Sequence, residues 1–147
     1  MSIRRSNPAG LHGAPGFVSQ IVQTTGPLAF VSGQVAQRQD GSWVGIGRHR
    51  EQAEQIARNI DVALRALGLS RDAVVKETIF VVDYDPDLLM DVVGPLRDGH
   101  SEPPASTLVA VSSLFATEAL VEVEVVVDLE PSSRPGPPLS RPDASLA

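Results

Sequence analysis

The stretch VEVEVVVDLE, residues 121–130, carries apolar side chains at its odd positions and acids at four of its five even ones, Val126 being the exception. A period of two is what a strand with one dry face produces. Glu122 and Glu124 then project from the wet side, where a carboxylate costs nothing. Lining a partly closed cleft instead, the same carboxyl could relay a proton or hold an attacking water, which makes Glu122 the first candidate for chemistry. Pattern alone leaves both readings open.

Other chemistries find less support. His12, His49 and His100 fall in three separate loops or helix starts, without the His-x-His or His-Glu-x-x-His spacing of a metal site, so no metal is expected. The chain has no cysteine, which removes disulfides and thiolate nucleophiles. "GIG" at Gly45–Gly47 lacks the third glycine and the strand-to-helix setting of a dinucleotide fingerprint, and no Walker sequence is present. Ser112 and Ser113 sit in no nucleophile elbow. A net charge of −6, with no basic run longer than Arg4–Arg5, disfavours nucleic acid. No stretch approaches the roughly 20 apolar residues of a membrane span, and the start MSIRRSNPAGLHGAPG has no apolar signal core. A soluble, cytoplasmic protein is expected.

These residues need elements to hold them. At 147 residues with 42% hydrophobic and 20% charged, one globular domain is expected. Residues 1–16, rich in Gly and Pro, read as an irregular lead-in; residues 17–130 form the domain; residues 131–147, rich in Pro and Ser, read as a disordered tail. FVSQIVQT and LAFVSGQVA read as two strands of a hairpin turned at Thr25–Pro27, with a short strand around Trp43 after the Asp40–Gly41 turn. Ala53, Ile56, Ala57, Ile60, Ala63, Leu64 and Leu67 mark one face of a helix from about His49 to Leu67, with Gln52 among the polar residues mostly off that face and Gly68 as its stop.

Val74 to about Val82 is β-branched and reads as a strand. Asp85 or Asp87 caps a second, shorter helix striped by Leu88, Leu89, Val92, Val93 and Leu96, and strands follow at Ser106–Val111 and in ALVEVEVVVDLE. The order predicts an α+β fold, one mixed sheet with two helices on one face. Apolar residues left on the other face point to oligomerisation through the open sheet.

In its motifs the chain resembles the Rid family, also called YjgF/YER057c/UK114, over roughly Phe17 to Leu129. The matching stretches are FVSGQVA (Phe30–Ala36), QAEQIARNIDVALRALGLS with RDAVVKETIFVVD after it, PASTLVAVSSL (Pro104–Leu114) and LVEVE (Leu120–Glu124). The resemblance implies a chorismate-mutase-like mixed sheet backed by two helices and a homotrimer with a central barrel. It also implies clefts between subunits that bind a small-molecule substrate and hydrolyse reactive imines and enamines without cofactor or metal.

Residue by residue, it implies that Ser32, Gly33 and Gln34 line the cleft, glycine allowing close approach to backbone. Glu122 corresponds to the cleft glutamate that positions or activates the water. The archetypal pattern has an arginine that grips the substrate carboxylate where this chain has Ser106, followed by Thr107, and an aromatic where it has Val18, beside Phe17. Losing a bidentate guanidinium removes about 1.5–3 kcal/mol of charged hydrogen bonding. The chain is therefore placed with arginine-lacking subgroups. A substrate other than a simple 2-imino acid is expected, in a hydrolase or a specialised biosynthetic variant; the alternative is a trimer that binds a metabolite or a partner without turnover. A ribonuclease conflicts with the acidic charge.

Overall fold

The computed structural model describes residues 3–131. Its organising element is α1, His49–Ala66, whose Ala53, Ile56, Ala57, Ile60 and Leu64 are buried at the expected helical spacing. Gly68, at φ +71°, stops it: its N–H donates to Arg65 O at 3.0 Å and the Leu69 N–H reaches back to Leu64 O at 2.9 Å. That pair of bonds is a Schellman cap, and its left-handed residue is the reason glycine stands there. Leu67, beyond the last helical turn, is exposed.

The main sheet has the order β3-β6-β4-β5, with β3 Leu28–Gln34, β4 Val74–Val82, β5 Ala105–Val111 and β6 Val121–Asp128. The β4–β5 pair is parallel and the other two pairs are antiparallel. Val121, Val123, Val125 and Val127 of β6 and Ile79 and Val81 of β4 are all buried in the core cluster against α1 and α2. Each such aliphatic side chain contributes about 1.5–3 kcal/mol on burial, which is why the odd register wins. The helix α2, Leu89–Arg97, follows a 3₁₀ turn whose Asp85 carboxylate accepts the Asp87 N–H at 2.8 Å, so Asp85 is the cap. It buries Val92, Val93 and Leu96 and ends at Arg97.

Several expectations are corrected. Residues 21–23 form β2, but β2 pairs antiparallel with β1, Arg4–Ser6, in a separate two-stranded sheet, so the hairpin with β3 does not form and the lead-in is not wholly irregular. The turn before β3 is tied to β6 instead: Leu129 N–H donates to Pro27 O at 2.9 Å, and the Thr24 hydroxyl donates to the Asp128 carboxylate. Asp128 is consequently buried, not on a wet face, and also accepts the Glu130 N–H at 2.8 Å. Around Trp43 there is a single bridge to Gln37 rather than a strand.

Gln52 is buried as well. Its amide donates to Gly45 O at 3.2 Å and Glu118 O at 2.8 Å, and accepts the Leu120 N–H at 2.9 Å, so three backbone groups satisfy it and two loops are tied to α1. Of the tail read as disordered, residues 132–147 lie outside the described residues.

Candidate functional site

The register of β6 turns Glu122, Glu124 and Val126 away from the helices, with Glu122 opposite Phe80 of β4. On its other side, β3 breaks register between Val31 and Gln34. Gly33 lies in that break, and a β-carbon built on it would come within 2.9 Å of Glu122 Cδ and 3.0 Å of Cγ. The Glu122 side chain thus lies on the backbone of β3 in space that only glycine leaves. Glu122 is half-buried, and among the described residues no hydrogen bond or ion pair engages its carboxylate. Ser32 is exposed beside it, and Gln34 is half-buried with its amide donating to Ser32 O at 3.0 Å. Ser32, Gly33, Gln34 and Glu122 therefore form one group at the β3 side of the sheet.

The remaining candidates gather at the other edge. Ser19 N–H donates to Pro104 O at 3.0 Å and its hydroxyl to Pro103 O at 2.6 Å, which fastens the Phe17–Ser19 segment to the start of β5. Thr107 pairs with Thr78 on the open face, where Lys76 Nζ donates to its hydroxyl at 2.8 Å. Ser106 pairs with Glu77, so its side chain shares the helix-facing side. With β4 between them, β5 and β6 are separated by two strand spacings, about 10 Å. One protomer therefore holds two half-sets, Glu122 with Ser32–Gln34 and Phe17–Val18 with Ser106–Thr107, on either side of β4.

Beneath the second half-set is a buried ionic cluster that the motifs did not disclose. Glu77, 3% exposed, meets Arg97 Nη2 at 2.5 Å, and Arg97 Nε donates to Phe17 O at 2.5 Å. His100 faces the same small cavity as Glu77 and Arg71, and its Nδ1 is buried with no hydrogen-bond partner. Burial and then the positive charge of Arg97 pull the His100 pKa down, with Arg71 acting in the same sense and Glu77 and Asp72 opposing them. One signal was available: Glu77 shares the odd register of Ile79 and Val81, so β4 as read from sequence carries an acid on its core face.

β3 with its register break, α1, β4, β5 and β6 occur where the family motifs were matched, whereas Phe17–Val18 lie where the chain departs from them. The family described as Endoribonuclease L-PSP, the YjgF/Rid family, matches residues 12–129. This chain belongs to that family. A RutC family protein from Aquifex aeolicus is 34% identical over 109 residues, covering 74% of this chain and 85% of that protein. The Rid family protein YyfB from Yersinia pestis superposes with a TM-score of 0.81 at 28% identity, over 87% of this chain and 99% of that one. Rv2704 from Mycobacterium tuberculosis, a member of the YjgF/YER057c/UK114 family, shares 28% identity over 75% of this chain and 85% of its own, with a TM-score of 0.55.

Within this Rid-family fold no three His, Cys, Asp or Glu side chains among the described residues are placed to hold a metal ion. His12 is exposed and His49 bonds through Nε2 to Val82 O at 2.8 Å, so the histidines serve separate places. Among the described residues no helix is long and apolar enough to cross a membrane.

Proposed function

We propose that this Rid-family chain is a hydrolase for a small imine or enamine, working in clefts between copies of a homotrimer. The observation that carries the reading is the Glu122 carboxyl laid over Gly33 with no hydrogen bond or ion pair to it among the described residues. Glu122 takes a proton from water as the oxygen adds to the carbon of the C=N bond. Glu122 passes that proton to nitrogen to complete the carbinolamine, the hydroxyl proton follows the same route as the C–N bond breaks, and carbonyl product and ammonia leave with Glu122 again a carboxylate. An enamine enters the same route after protonation at carbon gives its imine.

Two features support the assembly. The half-sets lie at opposite sides of the sheet, so a neighbouring copy that brings its β5 edge to this β3 edge completes a site. The face between them carries Phe30 at 78% exposure, with Leu28 and Val109 also exposed, an apolar surface that a second copy would cover. Ser106 offers no guanidinium to a substrate carboxylate, which favours substrates other than simple 2-imino acids.

A second reading, a trimer that binds a metabolite or partner without turnover, is favoured by one observation: among the described residues no acid or base touches Glu122 to share proton transfer. Ribonuclease action, which the family description names, is opposed by the net charge of −6. The test is ammonia release from imines generated in place by an amino-acid oxidase or amine oxidase, across charged and neutral side chains. Acceleration over the uncatalysed rate, greatest for imines without a carboxylate, supports the hydrolase. A native trimer that accelerates none of them, yet binds one, supports the second reading.

A further inference from the structure

The buried Glu77–Arg97 pair lies under the β5 edge. A buried ion pair is an expensive device, because removing two charges from water costs several kcal/mol per ion before any attraction is counted. Here the guanidinium does more than neutralise Glu77. Its Nη2 meets the Glu77 carboxylate at 2.5 Å while its Nε donates to Phe17 O at 2.5 Å, across 80 positions of sequence. It joins three parts of the chain: the end of α2, the middle of β4 and the segment before β2.

The Phe17 carbonyl is held at the end of α2 by the Arg97 Nε donor. Phe17 is 39% exposed and Val18 half-buried, and the backbone N–H groups of both turn back locally to Ala14 O, so the bond from Arg97 is what ties this turn to α2. Beyond that turn, Ser19 bonds to Pro103 and Pro104, immediately before Ser106. Arg97 and Ser19 together clamp the segment to the strand edge, and Glu77, in register with Ser106, fixes where the guanidinium ends.

We propose that Arg97 is the positioning residue of the second half-site, holding Phe17 and Val18 against the start of β5 so that with Thr107 they form one binding edge. The functional half of this claim rests on the reading of the cleft as the site. Arg97 acts through backbone and touches no substrate. The guanidinium serves both at once, its Nε donating to the Phe17 carbonyl while Nη2 meets the Glu77 carboxylate as a close ion pair without hydrogen-bond alignment.

The test is Arg97→Lys, which keeps a counter-ion for Glu77 and loses the directed Nε donor to Phe17 O. Two readouts separate the possibilities. The first is amide exchange, with the Ser19 N–H, bonded to Pro104 O, as reporter of the docked segment and the Ile79 and Val123 amides as core controls. The expected result is exchange faster by about tenfold or more at Ser19 with the core amides unchanged. The second is steady-state kinetics on whichever imine the native protein hydrolyses, where KM should rise about tenfold with kcat within about twofold of native.

Ser19 exchange equal to native overturns the proposal. So does exchange that rises equally at Ser19 and the core, or a kcat that falls with KM unmoved, since each marks a general loss of fold. Should the native protein hydrolyse no imine, the hydrolase reading falls, and Ser19 exchange still decides whether Arg97 positions the segment.

Discussion

Glu122 rests on Gly33: a β-carbon at position 33 would stand 2.9 Å from Glu122 Cδ, inside normal contact distance. The two residues come from strands that are neighbours in the sheet yet almost ninety positions apart in sequence, and the break in β3 register puts glycine backbone where the carboxyl needs room. Gly33→Ala tests whether that placement matters. The obstruction is a side chain that can swing, so stability should fall by no more than about 1 kcal/mol. Turnover should fall by about tenfold or more if Glu122 takes the proton of the attacking water as proposed, because the carboxyl is displaced from that water. Urea denaturation beside kcat/KM measures both.

Glu77 should be far less tolerant. Glu77→Ala leaves the Arg97 guanidinium, 12% exposed, without its counter-ion, and the cost of breaking one side of a buried pair is about 3–5 kcal/mol. Replacing both partners, Glu77→Leu with Arg97→Met, should recover most of that loss. Equilibrium denaturation of the single and double variants gives the coupling, and equal losses in both would show that the charge is not what matters.

His100 supplies a pH signature. Burial first and Arg97 second hold its pKa below that of a free imidazole, so the unfolded chain takes up a proton at a higher pH than the folded one. Stability should therefore be constant above the ordinary imidazole range of about 6.5 and fall as pH drops through the lower folded value. In His100→Gln that share of the slope disappears. Urea midpoints measured from pH 8 down to pH 5 should fall more steeply for the native protein than for the variant; parallel curves would contradict the burial argument.

Gln52 ties two loops that carry one aromatic each, half-buried Trp43 and exposed Phe115. Gln52→Leu strands Leu120 N–H and Glu118 O, while Gly45 O keeps the Arg48 N–H, a cost of about 2–4 kcal/mol. Trp43 is the single tryptophan, 6.1 Å from the Phe115 ring, so its emission reports the loops directly. A red shift with lowered stability is expected, and an unchanged spectrum would show that the loops hold without Gln52.

How much of this was legible depends on how local each cause is. The helix α1, its glycine stop and the odd register of β6 follow from periodicity and cap chemistry within a few residues, and each was read correctly. The partner of β2 was not, because Gly26 and Pro27 announce a turn without saying which strands it joins; the Thr24 to Asp128 bond, more than a hundred positions apart, holds that turn to β6. Gln52 looked like surface because its partners are backbone groups, which leave no mark on side-chain pattern. Arg97 and Glu77 are separated by a whole helix and a turn, so neither announces the other. Glu122 and Ser32–Gln34 were named from motif resemblance and lie together; Ser106 was named with them, and the strand order sets it on the far side of β4.

The central claim is that Glu122 carries the chemistry, and the most direct measurement is the pH dependence of ammonia release by native protein and Glu122→Gln on the best imine substrate. The account predicts an acid limb in the native kcat/KM profile, and in the variant a loss of about a hundredfold or more with that limb gone. A variant that matches native rates, with the same limb, would contradict it and return Glu122 to the wet face of its strand.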